Sequence, residues 1–90
     1  MSDVQNLLKE RGKTHGDFRD HARITQNLKA VMRFQDGYSR LSASQQETLE
    51  MVAHKIGRIL AGNPNHQDHW DDIAGYATLV SNQIAGKHEQ

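Results

Sequence analysis

Residues 47–80 read ETLEMVAHKIGRILAGNPNHQDHWDDIAGYATLV, and this stretch decides the fold. Apolar side chains recur at helical spacing on both sides of Gly62-Asn63-Pro64-Asn65. Before the break the stripe is Leu49, Val52, Ala53, Ile56, Ile59 and Leu60. After it the stripe is Trp70, Ile73, Ala74, Ala77, Val80 and Ile84. Gly62 is a natural C-terminal stop, and Pro64 forbids easy continuation. Two helices joined by so short a loop are antiparallel neighbours. The spacing predicts one helix over 43–61, opened by a capping box from Ser42 with Gln45 or from Ser44 with Glu47. It predicts another over 66–85, with Asn65 as N-cap and Asp68 at the capping-box position.

Working outward, a helix over 17–34 is expected from the face Phe18, His21, Ile24, Thr25, Leu28, Val31 and Met32. The segment QDGYSRLS after it reads as a loop, with Asp36-Gly37 as a turn signal. A short first helix over 3–11 follows from Val4, Leu7 and Leu8, with Ser2 as its N-cap. The glycines of GKTHG, Gly12 and Gly16, end it and make a basic loop of Arg11, Lys13 and His15. The tail from Gly86 is expected to fray. Strand patterns, repeats and linkers are absent from the sequence. The expected fold is all-α, a small four-helix bundle in a single domain over residues 1–90.

Composition narrows the function. The 90 residues carry 11 basic and 11 acidic side chains, so nothing draws the chain to nucleic acid or an anionic membrane. Arg19, Arg23, Lys29 and Arg33 of the second helix are diluted by Asp17 and Asp20. There is no cysteine, hence no disulfide and no thiolate zinc site. No apolar run suits a bilayer or a signal peptide, and a cytoplasmic protein is expected. A chain this short buries only roughly 60–65% of its unfolded surface. With 36% apolar residues, it is expected to complete its core by homo-oligomerisation.

The acidic residues admit two readings. Asp68, Asp71 and Asp72 fall in the first two turns of the last helix, where negative charge offsets the helix dipole by about 0.3–1 kcal/mol each. Glu47 has the same role at the start of the third helix. Taken together, however, Glu47 and Glu50 share one face, and Asp68 and Asp72 share another. On antiparallel neighbours the two pairs can converge. Converging carboxylates call for a cation, and magnesium (or manganese) suits oxygen ligands completed by substrate phosphates. Glu50 and Asp72 matter most, because capping explains them least.

This pattern resembles the MazG-like all-α nucleoside triphosphate pyrophosphohydrolases, with E-x-x-E on one helix and E-x-x-D on the next. Glu47 and Glu50 supply the first half. In one register Asp72 is the final Asp and His69 stands where Glu is expected. In the other, Asp71 and Asp68 fill the two places. The chain is also similar to small phage and prophage proteins carrying RGxxYGDF, HKIxRIL-x-G and DHWxDIAGYATL. The matching residues are Arg11 to Phe18, His54 to Gly62 and Asp68 to Leu79.

The resemblance implies a magnesium-dependent pyrophosphohydrolase of phage or prophage type. Glu47, Glu50, Asp68 and Asp72 would hold the metal, and Glu50 and Asp72 would be catalytic. Lys55 and Arg58 would bind substrate phosphates; on the plainer reading they solvate the helix or pair with the aspartates. His54 would act as a base or bond Glu50, and His54, His69 and Asp71 would stand behind the ligands. Two other expectations compete. One is a non-catalytic protein binding a nucleotide or nucleotide signal, as in phage counter-defence. The other is a helical adaptor for a host protein.

Overall fold

The computed structural model describes residues 2–86, and its described residues form four α-helices and no strand. Helix α1 spans Ser2–His15, α2 Phe18–Phe34, α3 Ala43–Ala61 and α4 Gln67–Ile84, with a short 3-10 helix at Asp36–Arg40. The all-α fold and the four helices are as expected. Among the described residues no helix is long and apolar enough to cross a membrane. The frayed tail expected beyond Gly86 lies outside the described residues.

Local chemistry fixes most helix ends. Asp17 caps α2, its carboxylate accepting the Arg19 N–H at 2.9 Å. Of the two boxes considered for α3, Ser42 with Gln45 forms. The Ser42 hydroxyl accepts the Gln45 N–H at 3.1 Å, and the Gln45 side chain accepts the Ser42 N–H at 2.9 Å. The Gly62 N–H then closes α3 on the Arg58 carbonyl.

Three boundaries differ from expectation. Helix α1 runs through Gly12 to His15, because a glycine inside a helix costs only about 1 kcal/mol. It stops at Gly16, whose φ of 80° a residue with a Cβ rarely adopts. Helix α4 is entered through His66 rather than Asn65, without a side-chain cap, so Asp68 is not part of a capping box. The stretch after α2 is not an open loop but carries the 3-10 turn.

Helix α3 is the hub, packing on α2 along one flank and on α4 along the other. The α2 flank is close because Gly57 has no side chain: a Cβ there would strike the Thr25 hydroxyl and the His21 ring. The α4 flank is marked by Lys55, two residues and about 200° round the helix from Gly57. Helix α1 lies more lightly across α3 and α2. It is held where Asn63 N–H and His69 Nε2–H both donate to the Thr14 carbonyl, at 3.0 and 2.9 Å.

The expected apolar stripe of α4 is only partly enclosed. Ile73 and Val80 are half-buried, whereas Trp70, Ala74, Ala77 and Ile84 are exposed. The enclosed residue of α4 is instead His69, at 1% exposure. Among the described residues Ala53 is the only buried hydrophobic side chain.

Candidate functional site

The short α3–α4 turn sets a register that decides the fate of the carboxylates. Lys55, buried at 7% exposure, reaches across to Asp72, with Nζ and Oδ2 2.7 Å apart. From that rung α3 and α4 run in opposite directions. At 1.5 Å per residue, Glu50 lies roughly 7–8 Å below the rung and Asp68 roughly 6 Å above it. Glu47 and Asp68 are then roughly 18 Å apart along the axes.

The expected four-carboxylate cradle is not assembled. Among the described residues no three His, Asp or Glu side chains are grouped so as to hold a metal ion. The acids have other partners. Glu50 accepts the Tyr38 hydroxyl at 2.8 Å and faces Arg33 at 3.8 Å. This bond, with partial burial, raises the Tyr38 pKa. Asp72 bonds Lys55, which holds its carboxyl below the usual aspartate range. Asp68 is exposed, 3.7 Å from His66. Glu47 is exposed on α3, and Asp71 is exposed beside Asp72 in a shallow depression with Gly75, Tyr76 and Leu79. As placed, the set does not fit one magnesium ion, whose ligands sit at about 2.0–2.1 Å.

Three basic or imidazole expectations also change. Lys55 is a structural tie to Asp72, the plainer of its two readings. His54 bonds His21 rather than Glu50, with ring nitrogens 3.2 Å apart. His69 is spent inside the fold on the Thr14 carbonyl.

Arg58 keeps an open role, in a different setting. It lines a cavity of about 500 Å³ between α1, α2 and α3. Helix α1 contributes Leu8, Arg11, Gly12 and His15. Gly16, Asp17, Phe18 and His21 come from the α1–α2 turn and α2, and His54 and Arg58 from α3. The volume is within the range of small-molecule sites. Phe18, 78% exposed, and Leu8 supply apolar wall.

The electrostatics of this cavity are one-sided. Burial and then the nearby Arg11 lower the pKa of Arg58, the signature of two cations drawn together. Burial followed by Arg58 pushes both His15 and His54 down to about 4. Burial and Arg58 also lower His21, against a smaller opposing effect of the Gly57 backbone. The histidines are therefore neutral at pH 7, able to donate or accept hydrogen bonds. The single lining carboxylate, Asp17, is engaged with the start of α2. Two guanidiniums, neutral imidazoles and an apolar wall can receive an anion that carries a ring.

Sequence reasoning singled out Arg58 beside Lys55 and left Arg11 and His15 to a separate basic loop, whereas the structure brings Arg11, His15, Phe18 and His21 to Arg58. The signal was present in RGKTHGDF, which runs from the last turn of α1 into the first residue of α2. Reading Gly12 as a helix end turned Arg11 and His15 into a separate loop.

Neither the curated proteins nor the solved structures give a match to this chain. A family model described as "Domain of unknown function (DUF6378)" matches residues 1–84, and the chain belongs to that family.

Proposed function

We propose that the chain is a nucleotide-binding protein whose site is the cavity between α1, α2 and α3. The observation that carries this reading is the convergence of Arg11 and Arg58 in one partly enclosed cavity with an apolar wall. In the bound state the two guanidiniums hold the phosphate, Arg being suited to bidentate contact. Phe18 lies against the base, and neutral His15 and His54 bond the remaining polar edges. The cost of holding like charges together is released when the anion enters.

The binding reading is preferred to hydrolysis because Glu50 and Asp72 are committed to Tyr38 and Lys55. Metal-dependent pyrophosphate release, with magnesium or manganese, remains a proposal resting on the MazG-like resemblance, as does a phage or prophage origin.

The test is calorimetric titration with a panel of nucleoside mono-, di- and triphosphates, alongside a pyrophosphate-release assay with magnesium, manganese or chelator. Saturable binding without product is expected, weakened about tenfold or more by Arg58→Met. Absence of binding across the panel overturns the proposal. Metal-dependent product, lost in both Glu50→Gln and Asp72→Asn, replaces it with the hydrolytic reading.

A further inference from the structure

The chain alone is a layer of three helices with one face left bare. Glu47, His54 and Arg58 lie on the side of α3 that includes the cavity. Leu49, Ile56 and Leu60 each follow one of these by two residues, a turn of about 200°. They therefore form a stripe on the opposite side. The same step separates Lys29 from Val31 on α2 and Asp72 from Trp70 on α4. Lys29 acts electrostatically on His54, and Asp72 on Arg58, so both belong to the cavity side. The far face thus gathers Val31, Leu49, Ile56, Leu60 and Trp70, without a charge among them. Leu60 is 67% exposed.

The exposed area leaves room for a partner. The chain exposes 6669 Å². A folded monomer of its mass, 10.2 kDa, exposes about 5,300 Å². The excess of about 1,400 Å², shared between this face and the exposed α1, exceeds the roughly 800 Å² that each partner contributes to a standard interface. The radius of gyration, 15.3 Å, also exceeds the about 12 Å expected for 90 residues. A domain needs a second layer against such a face, and α1 lies across the other side.

We propose that a second copy of this chain covers the face, stacking layer on layer about a two-fold axis with Leu49, Ile56 and Leu60 of both copies at its centre. A homodimer fits the features together. The face is apolar at its centre, its nearest charges being Asp20, three turns before Val31, and Arg23, which pair with each other at 3.9 Å, and the chain is neutral overall, so two copies meet without net electrostatic opposition. An isologous contact also needs no foreign surface to be complementary. The inference concerns the surface remote from the cavity and stands whether or not a nucleotide binds.

Sedimentation equilibrium of the full chain tests it, with the thermal midpoint followed over a hundredfold range of concentration. Twice the chain mass, and a midpoint that rises with concentration, are expected. Leu60→Glu and Leu49→Glu should each weaken association by about 30-fold or more, whereas Leu79→Glu, on the cavity side of α4, should not. If the substituted chains unfold, the wild-type concentration dependence still decides. A folded wild-type monomer at 100 µM overturns the proposal and leaves the face to a different partner. An assembly broken by Leu79→Glu but not by Leu60→Glu overturns it too.

Discussion

The Lys55 ammonium is buried, and its 2.7 Å contact with the Asp72 carboxylate ties the middle of α3 to the second turn of α4. The two ends of this pair are not equivalent, because Asp72 is half exposed and Lys55 is not. Removing the acid strands a buried cation; removing the lysine leaves a carboxylate that water can solvate. Asp72→Asn should lower the thermal midpoint by roughly 5–10 °C, and Lys55→Met by clearly less. Equal losses in the two variants would contradict this account.

Mild acid should loosen the fold through its partly buried histidines. His15 and His54 have ordinary values of 6.5 when unfolded and about 4 in the folded chain. Between those values the unfolded chain binds more protons, so stability falls as pH drops from 6.5 towards 4. Below 4 these two groups add no further loss. Each contributes on the order of 1 kcal/mol once partial solvent access is allowed for. Urea midpoints at pH 7, 5.5 and 4.5 should decrease in that order, and His54→Gln should flatten the trend.

The same histidines report occupancy of the cavity. An anion between Arg11 and Arg58 offsets the charge that depresses them, so both should titrate at higher pH when the ligand is bound. Proton NMR titration with and without saturating nucleotide measures this directly. Unchanged values at saturation would place the ligand elsewhere.

Gly57 governs how closely α2 approaches α3. A Cβ there meets the buried Thr25 hydroxyl and the His21 ring. Gly57→Ala raises helix propensity by about 1 kcal/mol yet should be net destabilising by about 1–2 kcal/mol, since overpacking outweighs it. Pairing it with Thr25→Ser should not rescue it, because the hydroxyl remains. Thr25→Ala should recover part of the loss in chemical denaturation.

Helix α1 should be the least protected element. Its residues from Asp3 to Lys13 are exposed, and its packing on α2 and α3 is slight. Its amides should exchange with deuterium much faster than those of α3, and nucleotide should slow them by closing the cavity. Equal protection of α1 and α3 in the free chain would refute this.

The helices were legible in the sequence because stripe, cap and stop agree. The bounds 43–61 of α3 agree with the structure, and Gly62 marks its end, but the choice of Ser42 with Gln45 over Ser44 with Glu47 came only from the structure. The site was less legible because it depends on register. Glu47, Glu50, Asp68 and Asp72 share faces pairwise, but the short turn sets Lys55, not Glu50, opposite Asp72. The buried His69 escaped the hydrophobic pattern because a hydrogen bond to Thr14, invisible in one helix's periodicity, admits a polar ring to the interior. Trp70 and Ile84 matched that pattern yet remain exposed, since periodicity identifies a face and not what covers it.

Gly16 and Gly62 stand back to back where the two turns of the chain meet. A Cβ on Gly16 would strike the Ala61 carbonyl and the Gly62 nitrogen; one on Gly62 would strike the main chain of Thr14, His15 and Gly16. Each obstacle is backbone, so no substitution elsewhere can make room by trimming a side chain. Over evolutionary time neither position can drift while the other compensates. Lengthening either turn would prise the crossing apart, so insertions are barred there as firmly as larger residues. The crossing constrains inheritance of this fold at two letters that carry no chemistry of their own.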